Sequence, residues 1–319
     1  MICIVPYDEK YDEAVRQIDP RKFHEMKTHG DVLRDRVYAA LEGSSCVGFG
    51  YLMVDEDFRR PAEDCKEGHV NLEYQVMTGS DSREVSGSLH LLEALLDDFD
   101  DLSATCQEKK LILRTFCNAQ KTAYVEFLLS FGFQAARPLL VLSKSLFHGD
   151  PGIEDCRNTV ICQSEENYTK NKVEIVEIKE IKLEDPAKQL TYLKACERAF
   201  HVPESVENLR YRLRDPQTRV FAAVSGDRIL GGMLTWNTGR SGTGVASTEF
   251  IFCDPAYRRK GIAEAMLRYA LRALGKSGME KAILTVYGTN LPACSLYLKL
   301  GYELRSVLIE MQYTTDMRE

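Results

Sequence analysis

The sequence predicts an α/β protein built from two consecutive domains of the same plan. A chain of 319 residues is long for a single hydrophobic core. Its composition is that of an ordinary globular protein, with 44% hydrophobic and 28% charged residues. A strand, a helix, a glycine and a further strand follow one another near the end of each half, which indicates an internal repeat.

The two repeated stretches are similar element by element. In order, the predicted strand, helix and strand are Lys109–Phe116, Asn118–Ser130 and Leu139–Ser143 in the first half, and Glu280–Tyr287, Asn290–Lys299 and Val307–Gln312 in the second. Gly132 and Gly301 follow the two helices, at a position where a left-handed backbone favours glycine.

The preceding elements also correspond, since each half opens with a strand and one or two helices and continues with a hairpin, a strand and a helix. The segments that predict them are Ile2–Pro6, Arg36–Glu42, Ser45–Val54, Val70–Met77 and Val85–Phe99 in the first half, and Val173–Ile178, Arg219–Ser225, Arg228–Trp236, Val245–Cys253 and Arg259–Leu274 in the second. We therefore expect one domain over residues 1–146, a linker over 147–171 in which residues 160–162 can form a short strand, and a second domain over 172–319.

Charge and cysteine content exclude several classes of protein. Residues 1–150 carry 17 Lys and Arg against 26 Asp and Glu, which argues against nucleic acid as the main partner. The ten cysteines form no C-x-x-C pair, so we expect no metal site and reduced thiols in a cytoplasmic protein. No apolar run is long enough to span a bilayer, and the N-terminus is a poor signal peptide, so no membrane partner is expected.

The strongest local signal is the segment from Phe250 to Ala263. A strand rich in aromatic and β-branched residues ends at Asp254-Pro255, and Arg258-x-x-Gly261-x-Ala263 stands immediately before a helix whose apolar residues recur at helical spacing. The N–H groups at a helix start suit a pyrophosphate, and small residues allow phosphate oxygens to approach the backbone. Arg258, Arg259 and Lys260 add positive charge.

This segment resembles the first conserved motif of the GNAT acyltransferase superfamily, Q/R-x-x-G-x-G/A. The second motif of that family is similar to the pattern Asn290-x-x-Ala293-x-x-Leu296-Tyr297-x-x-x-Gly301-Tyr302. The resemblance covers residues 172–319 well and 1–146 weakly. It implies two GNAT-like domains in tandem, each a mixed, mostly antiparallel, splayed sheet flanked by helices, with acetyl-CoA as co-substrate and an amine as acceptor.

The resemblance also implies roles for individual residues. The residues that correspond to the acetyl-CoA site of the family are Ile251, Phe252, Cys253, Arg258, Arg259, Lys260, Gly261, Ile262, Ala263 and Asn290. Tyr297 takes the place of the tyrosine that commonly protonates the departing CoA thiolate, and Asn290 is expected to cap its helix. Some members place a glutamate base at the position of Glu249, and its neighbours Thr248 and Phe250 should point to the opposite face of the strand.

The first half lacks these features. Glu84 stands where Arg258 is expected, Leu89 stands where a small residue is wanted, and Leu128 aligns with Tyr297. Tyr124, one turn away, offers a hydroxyl in a different geometry. We interpret residues 1–146 as a degenerate copy.

The resulting hypothesis is acyl transfer from acetyl-CoA to an amine by the C-terminal domain. The alternatives are a non-catalytic acyl-CoA-binding or regulatory module, and an interaction protein that uses the first half as a docking surface. Small amines, aminoglycosides, peptides and protein lysines all remain open as acceptors. His201 and Glu204 are candidates for the acceptor site, whereas Cys253 and Cys294 are expected only to pack.

Overall fold

The computed structural model describes residues 2–77, 81–106, 108–146, 159–164, 172–200, 206–237 and 244–317. Within them the strands are β1 (Ile2–Pro6), β2 (Val32–Glu42), β3 (Ser45–Val54), β4 (Glu67–Val76), β5 (Lys110–Asn118), β6 (Gln134–Ser145), β7 (Thr159–Ser164), β8 (Lys172–Ile181), β9 (Arg219–Ser225), β10 (Arg228–Asn237), β11 (Val245–Cys253), β12 (Lys281–Tyr287) and β13 (Glu303–Tyr313). The helices are α1 (Asp12–Ile18), α2 (Pro20–Thr28), α3 (Glu56–Arg59), α4 (Asp81–Thr105), α5 (Thr122–Ser130), α6 (Pro186–Phe200), α7 (Val206–Leu213), α8 (Ile262–Lys276) and α9 (Leu291–Lys299).

The chain divides into two compact units of the same plan. Unit 1 comprises Met1–Ala136 and Ile309–Glu319, and unit 2 comprises Arg137–Leu308. Unit 1 has the strand order β1-β2-β3-β4-β5-β13, and unit 2 has β6-β12-β11-β10-β9-β8-β7. The pairs β4–β5 and β11–β12 are parallel, whereas the other pairs described for the two units are antiparallel. The predicted fold, in which each of two units contains a mixed and mostly antiparallel sheet, is confirmed.

The boundaries of the units differ from the predicted division at the last strand of each repeat. Most of β6 belongs to unit 2, where it pairs with β12 from Lys281↔Ser145 to Tyr287↔Leu139. The end of β13, from Ile309, belongs to unit 1. Each unit is therefore completed by a strand from the other half of the sequence. The predicted linker contains β7, which pairs with β8.

The core of unit 1 includes this exchanged segment. Met311 and Tyr313 are fully buried in the same cluster as residues of α4 and β5. The ring of Tyr313 contacts Phe99 and Phe133, with centroids 5.9 and 5.5 Å apart. Its hydroxyl donates to the carboxylate of Asp100 at 3.1 Å. Residues at the end of the chain thus fill the core of the first domain.

Helices cover both faces of the sheet in unit 2. One face carries α8, whose residues Ile262, Met266 and Ala270 are buried at the predicted helical spacing. The other face carries α6 and α7, which bury Tyr192 and Leu209 with residues of β9 and β10. This sandwich holds β11 and the start of α8 in fixed positions, and they form the site described below.

The glycines after the last helix of each repeat adopt the predicted conformation. Gly132 has a φ of 86° and Gly301 a φ of 79°, so both are left-handed. After Gly301 the chain turns back, and the N–H of Tyr302 donates to the carbonyl of Tyr297 at 3.0 Å. Among the helices of the described ranges, none combines the length and apolarity needed to cross a membrane.

Candidate functional site

The site begins where β11 and β12 separate. The two parallel strands pair only at Val245↔Lys281, Ala246↔Ala282 and Ser247↔Ile283. Beyond Ser247, β11 continues to Cys253 with pairing to β10 alone. The strands therefore splay, as the sequence predicts, and one edge of β11 is turned toward the gap.

A bulge in β11 accompanies the separation. Gly232 pairs with Phe252 and Leu234 pairs with Glu249, so β11 contains one residue more than β10 over this stretch. Phe250 lies in the bulge with a φ of 50°, an uncommon conformation for an aromatic residue. Bulges bend a strand and re-aim its side chains, which explains how β11 departs from β12.

A loop with two left-handed residues joins β11 to α8. Asp254 accepts a bond from the N–H of Ala256 at 3.1 Å and starts a short turn. Arg259 and Gly261 have φ values of 61° and 80°. Helix α8 begins only at Ile262, three residues later than predicted, because a helix cannot continue through this left-handed backbone.

The loop fits a phosphate-bearing ligand. The first backbone hydrogen bond of α8 runs from the N–H of Ala265 to the carbonyl of Gly261. The N–H groups that precede Ala265 in the chain therefore have no partner within the helix. A Cβ added at Gly261 would meet no atom within 4 Å, so the space beside its backbone is open. Left-handed turns beside a helix start form concave sets of N–H groups that bind anions.

The three cations of the loop differ in what they contact. The guanidinium of Arg258 donates to the carbonyl of Cys253 at 3.2 Å and to that of Ala199 at 2.6 Å. It therefore ties the loop to the end of β11 and to α6, and its contribution of positive charge to a ligand stays a prediction. Arg259 is exposed, and the ammonium of Lys260 lies 5.2 Å from the centroid of the Tyr257 ring.

Other predicted cofactor residues have buried or partly buried side chains. The side chain of Phe252 is buried, and its ring packs against Tyr192 with centroids 5.4 Å apart. Ile262 is buried in the core beneath α8. Ile251, Cys253 and Ala263 are partly buried. Because the side chains of Phe252 and Ile262 are buried, these two residues can reach a ligand only through their main-chain groups.

Helix α9 brings Tyr297 into the core of unit 2. Asn290 caps this helix as predicted, since its side chain accepts from the N–H of Ala293 at 3.4 Å. Tyr297 is 6% exposed, and its ring meets Tyr302 edge-on. Burial, and then the nearby Cys294, raise the pKa of Tyr297 to about 12. The hydroxyl is thus protonated at neutral pH, which is the state that a proton donor needs.

Glu249 is half-buried and hydrogen-bonded at both oxygens. Its Oε2 accepts from Nη1 of Arg212 at 3.2 Å, and its Oε1 accepts from the Ser247 hydroxyl at 3.3 Å. A carboxylate offers about four lone-pair sites, so these bonds are compatible with a further contact to an amine. Glu249 thus lies at the start of the stretch of β11 that no longer pairs with β12.

Two features of this region were not predicted. The guanidinium of Arg212 lies over the ring of Phe250, 4.6 Å from its centroid, as well as beside Glu249. The prediction that Phe250 points away from Glu249 is therefore wrong, because the bulge interrupts the alternation of side chains. Arg212 itself was missed, since no local pattern indicates which strand α7 packs on.

Unit 1 is built differently at the corresponding places. Helix α4 starts at Asp81 and runs through Gly87, whose missing side chain makes room for Val76. The predicted loop counterpart is therefore helical. Leu128, the residue of unit 1 that corresponds to Tyr297, is fully buried, and Tyr124 stacks on Phe127.

A closed polar network occupies the end of the parallel pair in unit 1. Pairing of β4 with β5 extends to Asn71↔Arg114. Arg114 donates to the side chain of Asn71 at 2.7 Å and also bonds Asp55, to which Asn71 donates at 2.6 Å. These three side chains hold the strands together where β11 and β12 have already separated. His201 and Glu204, the predicted acceptor residues, lie outside the described residues.

Comparisons with known proteins bear on the same region. The sequence model of the acetyltransferase (GNAT) family matches residues 187–302. The [ribosomal protein bS18]-alanine N-acetyltransferase of Escherichia coli K12 is 32% identical over 108 residues, which are 32% of this chain and 73% of that protein. The mycothiol acetyltransferase of Catenulispora acidiphila is 32% identical over 126 residues, covering 36% of this chain and 40% of that one.

Solved structures share the fold of the whole chain. A GCN5-related N-acetyltransferase from Sphaerobacter thermophilus superposes with a TM-score of 0.66 at 14% identity, over 100% of this chain and 96% of that one. A tandem GNAT protein from the clavulanic acid biosynthesis pathway superposes with a TM-score of 0.63 at 12% identity, over 98% of both chains. The chain therefore belongs to the GNAT acetyltransferase family, and its fold is that of a tandem member.

Proposed function

We propose that unit 2 is an N-acyltransferase that moves an acetyl group from acetyl-CoA to an amine. The observation that carries the proposal is the conjunction of a splayed β11–β12 pair with a left-handed loop at the start of α8. The loop residues Arg259–Ala263 would hold the pyrophosphate through their N–H groups. The unpaired edge of β11, from Glu249 to Cys253, would hold the extended arm of the co-substrate.

The reaction forms an N–C bond to the acetyl group and breaks its C–S bond to CoA. The acceptor must lose a proton to become a neutral nucleophile, and Glu249 would accept that proton directly or through water. The leaving thiolate must gain a proton, and the Tyr297 hydroxyl would donate it. The proposed base is thus on β11 and the proposed proton donor is on α9.

We further propose that residues 1–146 are a degenerate copy without a co-substrate site. Helix α4 replaces the loop, and Leu128 replaces the tyrosine. At the exit of the parallel pair, Asn71 is engaged by Arg114 and Asp55. We therefore expect one CoA to bind per full-length chain, as titration calorimetry would measure.

The activity is tested by release of free thiol from acetyl-CoA with a panel of acceptors: a small amine, an aminoglycoside, a peptide with a free N-terminus and an N-acetylated lysine peptide. Two relatives are named as a ribosomal protein alanine N-acetyltransferase and a mycothiol acetyltransferase, which is why the panel spans peptides and small molecules. Acceptor-dependent release supports the proposal. CoA binding without release for any acceptor would favour the alternative, a non-catalytic acyl-CoA-binding module.

Replacing Tyr297 by phenylalanine should lower kcat while leaving CoA affinity unchanged. The ring and its contact with Tyr302 are kept, so only the hydroxyl is lost. A positioned proton donor contributes roughly 10²–10⁴-fold, and a thiolate is a fair leaving group, so we expect a loss of about 10²-fold. Because the pKa of Tyr297 is raised to about 12, its removal should lower the rate by one factor across the neutral range. Tyr302→Phe is the control, and wild-type kcat in Tyr297→Phe would remove Tyr297 from the mechanism.

A further inference from the structure

Arg212 joins three groups on the face of the sheet that α6 and α7 cover. It lies in the last turn of α7, and its Nη1 is 3.2 Å from Oε2 of Glu249. Its guanidinium also lies 4.6 Å from the ring centroid of Phe250 and 5.3 Å from that of Trp236. The side chains of Arg212 and Glu249 are only 27% and 34% exposed. One planar cation therefore contacts a carboxylate and two aromatic rings.

This arrangement restricts the carboxylate more than a surface ion pair would. A guanidinium holds its donors in a rigid planar fork and stacks on aromatic faces, whereas an ammonium does neither. A guanidinium over an aromatic face is also attracted by the ring, and more strongly when it is partly desolvated. The rings of Trp236 and Phe250 thus fix the guanidinium, and the guanidinium fixes Glu249.

The bulge in β11 is what makes the arrangement possible. Without the extra residue, Glu249 and Phe250 would point to opposite faces of the strand. With Phe250 left-handed, both side chains meet the same guanidinium. The feature that separates β11 from β12 therefore also directs the carboxylate.

Unit 1 shows which part of this arrangement belongs to the common plan. There Lys22 of α2 pairs with Glu73 of β4 at 2.6 Å, so an ion pair from the second helix to the corresponding strand occurs in both units. In unit 1 the cation is a lysine that also pairs with Glu25 at 3.2 Å. The ion pair alone thus suits a structural role, and the arginine between aromatic rings distinguishes unit 2.

We infer that Arg212 is a positioning residue that holds Glu249 for proton transfer from the acceptor amine. The inference rests on the proposed function, because it assigns Arg212 a role through the proposed base. Loss of Arg212 should lower kcat with the acceptor by about 10–100-fold, since a displacement of about 1 Å in a catalytic group costs up to about 10²-fold. The KM for acetyl-CoA should not change, because Arg212 contacts neither the loop nor α8 in the described contacts.

The test compares Arg212→Met, Arg212→Lys, Glu249→Gln and the double variant Arg212→Met/Glu249→Gln in the full chain. Methionine keeps bulk on the rings without charge, and lysine keeps charge without the planar fork. Arg210→Met is the matched control, because Arg210 lies on the same helix and bonds Gln189 at 3.1 Å instead of β11. Initial rates are measured against both substrates, with CoA affinity by calorimetry.

If Arg212 acts through Glu249, the double variant should be no slower than Glu249→Gln within about threefold, because coupled residues are not additive. Arg212→Lys should recover part of the kcat lost in Arg212→Met. Independent, multiplicative losses, or an unchanged kcat in Arg212→Met, would overturn the inference. Should Arg212→Met not fold, the same comparison is made with Arg212→Lys and its double variant. A wild-type chain that binds CoA but transfers no acetyl group would instead refute the proposed function, and the inference with it.

Discussion

Replacing Gly261 by aspartate should lower the affinity for CoA by at least about 100-fold while leaving the chain folded. Aspartate tolerates the left-handed backbone better than most residues, and a Cβ at this position meets no protein atom within 4 Å. The added carboxylate would, however, enter the space where a diphosphate must approach the N–H groups of α8. Like charges brought together at a binding site cost several kcal/mol, and each 1.4 kcal/mol is about tenfold in affinity.

Gly278 offers a matched control for this experiment. Its φ of 85° and open surroundings resemble those of Gly261, but it follows the other end of α8. Gly278→Asp should therefore introduce a similar backbone strain and leave CoA affinity unchanged in titration calorimetry. A folded Gly261→Asp protein that binds CoA like the wild type would show that the loop does not hold the phosphates.

Replacing Tyr313 by alanine should destabilise unit 1 by about 3–5 kcal/mol, the usual cost of truncating a large buried aromatic side chain. Tyr313 is fully buried, and its ring contacts Phe99 and Phe133. Tyr313→Phe keeps these ring contacts and removes the bond to the Asp100 carboxylate, so it should cost less, about 1.5–3 kcal/mol.

Urea unfolding followed by circular dichroism measures these changes. Trp236, the single tryptophan of the chain, lies in unit 2, so its fluorescence reports on that unit. We expect the dichroism transition to move to lower urea in Tyr313→Ala. An unchanged transition would contradict the assignment of the C-terminal strand to the core of unit 1.

The sequence predicted the elements that local patterns determine. Strand β11 was predicted with its observed ends, Val245 and Cys253, and the left-handed conformations of Gly132 and Gly301 were predicted from their place after a helix. Alternation and helical spacing depend on neighbouring residues, so one sequence is enough to recognise them.

Tertiary packing decided the features that were missed. Strands β6 and β13 follow the same local signals, and nothing in either segment indicates that it completes the sheet formed by the other half of the sequence. The bond from Arg258 to the carbonyl of Ala199, 59 positions away in the chain, could not be predicted from local spacing. Likewise Arg212 and Glu249 are 37 positions apart, and only the packing of α7 on the sheet joins them.

The exchange of the last strands has a consequence for how the protein is made. Domains generally fold in the order in which they leave the ribosome, the N-terminal one first. Here the first 136 residues emerge long before Met311 and Tyr313, which fill the core of the same unit. Residues 137–308, which form unit 2, are all translated before Met311 and Tyr313. The domain translated first should therefore acquire its native packing after unit 2, because translation must pass Tyr313 before its core can be filled.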